Sequence, residues 1–475
     1  MKIKDFLNRN NNCDGVVVIQ GLGFVGAVMS MVVSNSSKKH YSVIGVDRVE
    51  NKNIINKLNN GVFPIKSSDP KIEKYYNNSI KKGNFLATYD SKAYSYADTI
   101  IIDINLDVKK DSDELGNLNS FDVDLTPFKN SIKTIGENCK EDVHILVETT
   151  VPPGTCLKIV KPIIEDELLK RKLKTNKIKI GHSYERVMPG PNYIDSIKNF
   201  YRVYSGVDVK SANETERFLR TIISTDQYPL VRLGSTNATE MAKVLENSYR
   251  AMNIAFAVEW SRFAEESGVN LYEVVDAIRM RPTHANLMYP GIGVGGYCLT
   301  KDPLLASWSK TNHFNSIEGL SQSEKGVRIN DRMPFYAFDY MKKAFNIKSL
   351  NNKKVLLLGV SYRSDVGDTR YSPVEPFYLN CKKDKAIITM HDPYVEYWIE
   401  VNAKISQDLN KELSKKWDII VISAAHSEYK NSNFISKLSS IFNVNIYDTL
   451  GIFTNENIEK LNKKNKVKVL GRGDI

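Results

Sequence analysis

Cysteine is scarce and scattered in this chain. Its five residues, Cys13, Cys139, Cys156, Cys298 and Cys381, are odd in number, far apart and free of any C-x-x-C pair. That distribution argues against a disulfide framework and a thiolate zinc site, and predicts a reducing compartment and no bound metal. The opening segment, MKIKDFLNRNNNCDG, lacks the apolar core that a signal peptide needs, so a cytoplasmic protein is expected. Long uncharged runs are nearly missing as well. The window Gly15 to Ser34 is one, but it contains Gln20 and the glycines of GLGFVG. Its β-branched start, Val16-Val17-Val18-Ile19, reads as a buried strand turning into a helix and not as a membrane span. The formal charge is +11, yet the lysines run along the whole chain without clustering among aromatics. This pattern disfavours nucleic acid as a partner and suits a small anionic substrate. No short-period repeat or low-complexity tract is visible.

What is present is an ordinary globular composition, 42% hydrophobic and 25% charged, in 475 residues, too many for one core. From Val16 to about Gly206 the runs GVVVIQ, YSVIGVD, DTIIIDI, HILVET and KIKIGHS alternate with helical patterns, which predicts a parallel sheet covered on both faces. Residues 238–267 contain no Gly or Pro. With Asn237 and Glu240 as a capping box and Gly268 as the stop, they predict one helix of about 30 residues, roughly 45 Å long. Its centre, Ala251 to Trp260, is apolar nearly all round, which predicts burial on several sides at a domain link or a dimer interface. After Asp331 the alternation returns in KKVLLLGV, AIITMHD, DIIVISA and NVNIYD. The expected fold is α/β, two Rossmann-like doubly wound domains joined by a long central helix.

Four features carry chemistry. Gly21, Gly23 and Gly26 follow the first strand and open a helix, the spacing of a dinucleotide-binding turn: tight turn, close approach to a pyrophosphate, helix packed on strand. Asp47 ends the second strand, where a carboxylate bonds ribose hydroxyls and repels a 2′-phosphate, so NAD is favoured over NADP, although Arg48 stands beside it. Lys243 and Asn247, four apart on the long helix, share a face, and a buried cation and amide there imply a polar site; the plainer reading is a solvated turn with Glu240 and Glu246 as partners. In YPGIGVGGYCLTKDP, Cys298 sits in a loop with Gly291, Gly293, Gly295 and Gly296 and is followed by Lys301 and Asp302. A thiol so placed is a candidate nucleophile, or else a small buried hydrophobe. Finally, GVSYRSDVGDTRYSP gathers Arg363 and Arg370 after a strand; two guanidiniums suit a phosphate, unless Asp365 and Asp368 pair with them.

These residues resemble the nucleotide-sugar dehydrogenases, the UDP-glucose and UDP-N-acetylhexosamine 6-dehydrogenases, over nearly the whole chain. GLGFVG, ETTVPPG, SYERVMPG, EMAKVLENSYR, PGIGVGGYCLTKDP and GVSYRSDVGDTRYSP match in order. The resemblance implies an NAD-binding Rossmann domain at 1–215, a helical dimerisation domain at 216–325 and a UDP-binding α/β domain at 326–475. It implies a homodimer or higher homo-oligomer without nucleic acid or membrane partners, feeding surface polysaccharide synthesis. The sugar C6 alcohol is oxidised to an aldehyde, Cys298 captures it, a second oxidation gives a thioester, and water releases the uronate. Lys243 and Asn247 would stabilise the oxyanions, Asp302 and Thr150 would hold the catalytic water, and Glu185 would serve thioester hydrolysis. Gly21, Gly23, Phe24, Val25, Gly26, Asp47, Lys52, Thr149, Lys301 and Arg370 would contact NAD. Arg186, Arg250, Arg281, His284, Tyr289, Gly295, Tyr362 and Arg363 would contact the UDP-sugar.

Departures from the family pattern bear on the sugar and on some cofactor contacts. Tyr297 precedes the cysteine where His or Ser is usual, and His284 replaces an arginine that Arg281 is near enough to supply. Ile104-Asn105-Leu106 replaces a V-x-T-P turn, and Val258 an Asn. Two other readings compete. A two-electron β-hydroxyacid or 6-phosphogluconate-type dehydrogenase would need neither Cys298 nor the second α/β domain. A non-catalytic NAD- or nucleic-acid-binding module would not need Lys243, Asn247, Cys298 and Asp302.

Overall fold

We describe the protein from a computed structural model covering residues 2–65, 69–187 and 190–475, so Met188 and Pro189 of SYERVMPG lie outside the described residues. The chain divides into two compact units: Met1–Lys109 with Asp122–Leu245 and Trp308–Gly319, and Lys110–Phe121 with Glu246–Ser307 and Leu320–Ile475.

The first unit is built on an eight-stranded sheet. Its strands Gly15–Gln20, Tyr41–Val46, Phe85–Thr88, Thr99–Ile102, His144–Val147 and Lys179–His182 lie in the spatial order 3-2-1-4-5-6, all parallel. Val203–Gly206 adds antiparallel to the last of these, and Val231–Arg232 follows it. The continuous β-branched runs predict burial on both faces, and Val17, Ile19, Val43, Ile101 and Leu146 sit in the core with the helix Phe24–Ser34. The uncharged window is thus a strand and a buried helix. Among the described residues no helix is long and apolar enough to cross a membrane.

The second unit holds a five-stranded parallel sheet. Its strands Lys354–Leu358, Ile387–His391, Ile419–Ile422, Asn445–Asp448 and Lys466–Val469 lie in the order 2-1-3-4-5. Each sheet reverses its strand order once, beside its first strand, and ligand crevices of doubly wound folds open at that switch, beyond the carboxyl ends of the strands.

The long helix runs Thr236–Ser267, and the boundary between the units falls within it, after Leu245. Gly268, at φ 72°, stops it as expected. Its start differs from the expected capping box. Ser235, not Asn237, receives the first turn, with Ala238 N donating to Ser235 Oγ at 3.3 Å. Glu240 is fully buried and used elsewhere: its carboxylate accepts from Gly154 N at 2.6 Å and Cys156 N at 2.8 Å. The apolar centre is also not buried all round. Ala251, Ala255, Ala257 and Val258 face the interior, whereas Phe256 and Trp260 remain 53% and 48% exposed. The small side chains let neighbouring backbone approach, and the large rings project from the opposite side.

Candidate functional site

At the switch point of the first sheet the glycine turn has the shape a dinucleotide needs. Gly21 has φ 96°, and a Cβ there would lie 2.2 Å from Asp103 O; a Cβ on Gly26 would lie 1.8 Å from Gly21 O. Gly23 differs: nothing lies within 4 Å of its Cβ position, so backbone is open to a ligand at the amino end of the helix that Phe24 and Val25 begin. Asp47 stands next to this turn, its Oδ2 accepting from Leu22 N at 2.8 Å and its Oδ1 from Arg48 N at 2.7 Å and Asn51 Nδ2 at 2.8 Å. Lys52 is exposed at the start of the helix Lys52–Asn59. The donor set fits NAD: a helix terminus for the pyrophosphate and a carboxylate for the ribose.

Three further strands of this sheet end in polar residues. Thr149 Oγ1 accepts from Ile104 N at 2.7 Å and donates to Ile102 O at 3.0 Å, which fixes the loop carrying the half-buried Thr150. The next turn of that loop is held by Glu240, whose pKa is pushed up to about 7, by burial first and against the opposing hydrogen bonds from Cys156, Gly154 and Thr155. Lys243 is 6% exposed, so the solvated reading fails. Its Nζ donates to Glu185 O at 2.8 Å, lies 3.9 Å from Glu185 Oε1 and sits 5.4 Å from the centre of the Tyr184 ring. His182 tethers the same helix to the sheet through Thr239 Oγ1 at 2.8 Å, which in turn meets Ser205 Oγ at 2.7 Å. Burial, then the charge of Lys243, lowers the His182 pKa to about 3, so the ring is neutral. Arg186 is taken up locally: its guanidinium faces the rings of Tyr184 and Phe200 and donates to Tyr201 O at 3.0 Å.

In the second unit the Cys298 loop assembles around Asp302. Cys298 is exposed, unlike the buried Cys139, Cys156 and Cys381, so it is not a small core hydrophobe. Its carbonyl accepts from Asp302 N at 2.9 Å and Lys301 N at 3.2 Å, a tight turn that starts the helix Asp302–Asn312. The fully buried Asp302 accepts from Asn247 Nδ2 at 2.6 Å and Lys301 Nζ at 3.1 Å. The loop's glycines admit protein as well as any ligand: a Cβ on Gly295 would lie 2.4 Å from Tyr362 Cβ, and one on Gly296, at φ 80°, 2.6 Å from the Tyr362 ring. Burial, then Asp368, pushes the Tyr362 hydroxyl up to about 12, so it stays a donor.

The arginines divide. Arg370 forks onto Asp368 with Nε–Oδ1 2.9 Å and Nη2–Oδ2 2.7 Å and lies 5.9 Å from the Tyr297 ring, so the pairing alternative holds for it. Lys301 Nζ lies 4.6 Å from the same ring. Asp365 bonds Ser427 instead, and Arg363 is exposed at the switch point of the second sheet. There Asp392 accepts from Val360 N at 2.9 Å and His426 Nε2 at 3.0 Å, bracing the loop from its fully buried position. Arg250, Arg281 and His284 are exposed and are not drawn into the Cys298 loop. Tyr289 is held by Asp276 and stacks on Tyr272 with ring centres 5.9 Å apart. Sequence reasoning passed over Asp103, Arg202, His182, Asp392 and His426. For Asp103 a signal was present, because it is a carboxylate directly after a buried strand; Asp392 follows a strand buried only over its last two residues.

The UDP-glucose/GDP-mannose dehydrogenase family matches this chain in three stretches: its NAD binding domain at residues 15–223, its central domain at 237–331 and its UDP binding domain at 356–455. A UDP-N-acetyl-D-mannosamine dehydrogenase of Pyrococcus horikoshii is 30% identical over 97% of this chain and 100% of its own length. One of Methanocaldococcus jannaschii is 32% identical over 74% of this chain and 75% of its own. The solved structure of the UDP-D-ManNAc dehydrogenase from Pyrococcus horikoshii superposes with a TM-score of 0.79 at 28% identity, covering 97% of this chain and all of that one. The chain belongs to the UDP-glucose/GDP-mannose dehydrogenase family and is an NAD-dependent UDP-sugar dehydrogenase.

Proposed function

We propose that the protein oxidises the C6 hydroxymethyl group of UDP-N-acetyl-D-mannosamine to the carboxylate in two steps at Cys298. The observation that carries this reading is the exposed Cys298 thiol, held in a turn whose carbonyl is bonded by the backbone of Lys301 and Asp302, with Asn247 on the Asp302 carboxylate. The name of the related Pyrococcus enzyme supports this choice of sugar. NAD, when bound, accepts a hydride in each oxidation. Cys298 adds to the aldehyde, Lys243 and Asn247 donate to the developing oxyanion, Asp302 with Thr150 orients the water that takes protons, and Glu185 serves hydrolysis of the thioester. A simple alcohol dehydrogenase would leave the Cys298 turn without a task. The test is stoichiometry across a panel of UDP-hexoses: two NADH per UDP-N-acetyl-D-mannosamine and no free aldehyde. One NADH per substrate would replace this reading with a two-electron reaction, and preference for another sugar in the panel would replace the sugar.

NAD is held, in this proposal, by the Gly21–Gly26 turn and Asp47. NADP should be the poorer cofactor, because its 2′-phosphate would meet the Asp47 carboxylate. Asp47→Ala should narrow the ratio of kcat/KM for the two cofactors by about tenfold or more, the effect of roughly 1.4 kcal/mol of relieved repulsion. Equal use of both by the unmodified protein would assign the contact to Arg48 or Lys52.

We also assign the protein to the cytoplasm, which the odd number and wide scatter of its cysteines support, with the functional division 1–215, 216–325 and 326–475. Assembly follows from the long helix. Tyr249, Phe256, Trp260 and Phe263 are exposed at seven-, four- and three-residue steps along one helix face, with Trp260 ring-packed between Phe256 and Phe263 at 6.0 and 5.9 Å. A contiguous aromatic face of this kind is a protein interface. A homodimer is expected in light scattering at micromolar concentration, with Trp260→Asp giving monomers. A monomeric unmodified protein would reject the dimer.

A further inference from the structure

Asp103 and Glu148 are the first residues after two adjacent parallel strands. Ile102 pairs in register with Val147, and Glu148 N donates to Ile102 O at 3.1 Å, so the two carboxylates leave the sheet side by side, about 4.8 Å apart in backbone spacing. Glu148 is fully buried, and among the described residues neither of its oxygens receives a well-aligned hydrogen bond; Asp103 is half-buried, with its Oδ2 sealed from water and likewise without one. The cation that faces them is Arg202, 1% exposed, with Nη2 3.0 Å from Glu148 Oε1 in ion-pair contact and Nη1 donating to Ser183 O at 3.3 Å. Among the described residues the one ion pair here is Arg202 with Glu148, which leaves the half-buried Asp103 beside Glu148 without a cationic contact of its own. Around them stand Glu185, after the next strand, Lys243 of the long helix, which reaches Glu185, and the neutral His182. Burial, then Glu148 and Glu185, raises Asp103 well above the usual carboxylate range; burial pushes Glu148 up to about 7, with Arg202 opposing and Glu185 adding.

We propose that Asp103 and Glu148 hold a single proton between them, so that the pair and Arg202 together are electrically neutral, and that they act as positioning residues that set the charge facing Glu185 and Lys243. Two carboxylates on neighbouring strand ends, with oxygens sealed from water, resist double ionisation, and one cation balances one anion. Near neutral pH the pair is then a neutral neighbour of Glu185. At alkaline pH it loses its proton and faces Glu185 and Lys243 with an extra negative charge. The second part rests on the reading that Glu185 serves thioester hydrolysis; the first does not.

Asp103→Asn and Glu148→Gln are nearly isosteric and leave one carboxylate against Arg202. In infrared difference spectra of the full-length protein at pH 7, each variant should lose the same protonated-carboxyl band, and the two variants compared directly should show no acid-band difference. If both carboxylates were ionised in the unmodified protein, neither variant would lose a band. If each held its own proton, the variants would lose different bands. Either result overturns the shared proton. The pH profile of kcat should carry an alkaline inflection in the unmodified protein that is missing from both variants, with KM for the UDP-sugar unchanged. An inflection that persists in both, with the infrared result as expected, would leave the shared proton standing and overturn the link to Glu185.

Discussion

Cys298→Ser should still bind NAD and UDP-sugar but complete the reaction at least about a thousand times more slowly, the scale on which removal of a covalent nucleophile registers. The thiol is solvent-accessible and its turn is held by backbone hydrogen bonds to the Cys298 carbonyl, so the hydroxyl should take the same place without refolding the loop. What changes is acidity: an alkoxide is far harder to generate near neutral pH than a thiolate. Reaction should stop after the first oxidation or at a slowly hydrolysed oxygen ester. Intact mass after incubation with UDP-N-acetyl-D-mannosamine and NAD should show an adduct mapping to residue 298. Near-normal turnover would leave Cys298 without a covalent role and would sink the covalent scheme.

Lys243→Ala should lose about two to three orders of magnitude in kcat with KM for the nucleotide sugar little changed, the signature of a donor that acts on the transition state. The ammonium is nearly sealed from water and anchored on Glu185 O, so its charge is felt at short range in a medium of low polarity. No ester should accumulate, because the first oxidation fails with the rest. Circular dichroism and thermal melting should stay close to the unmodified protein, since the helix around position 243 keeps its alanine-compatible backbone. Restoration of most activity by exogenous amines would agree with a purely electrostatic role; a large fall in melting temperature would instead make Lys243 a structural tie.

The central strands of both sheets were legible because burial on both faces leaves runs such as VVVI and VLLLGV that nothing else explains. The edges were not. Lys466–Val469, at one edge, alternates lysine with valine, and the other sheet closes with Val203–Gly206, whose VYSG mixes polar residues, and the two-residue edge strand Val231–Arg232. The glycine turn, Asp47 and the Cys298 loop are local in sequence and could be read directly. Glu240 could not, since spacing cast it as a cap and only the fold brings Gly154 and Cys156 to it. Asp103 and Glu148 are 45 positions apart and meet only because their two strands, successive members of the sheet, pair in parallel register. Arg370 shows the opposite case: its partner was two residues away and visible from the start.

The start of the long helix also constrains how this sequence can vary. Glu240 grips the loop at Gly154 and Cys156, and Lys243, three residues on, reaches Glu185, so both ends of that short segment are indexed to fixed points of the first unit. A helix turns about 100° and rises about 1.5 Å per residue. Deleting or inserting a single residue between the two would swing Lys243 a quarter-turn or more away while leaving composition, charge and helix propensity almost untouched. Replacement of the exposed Met241 between them should leave both anchors in place. In this stretch length is under tighter constraint than identity, and drift by insertion or deletion must be absorbed in the loops on either side.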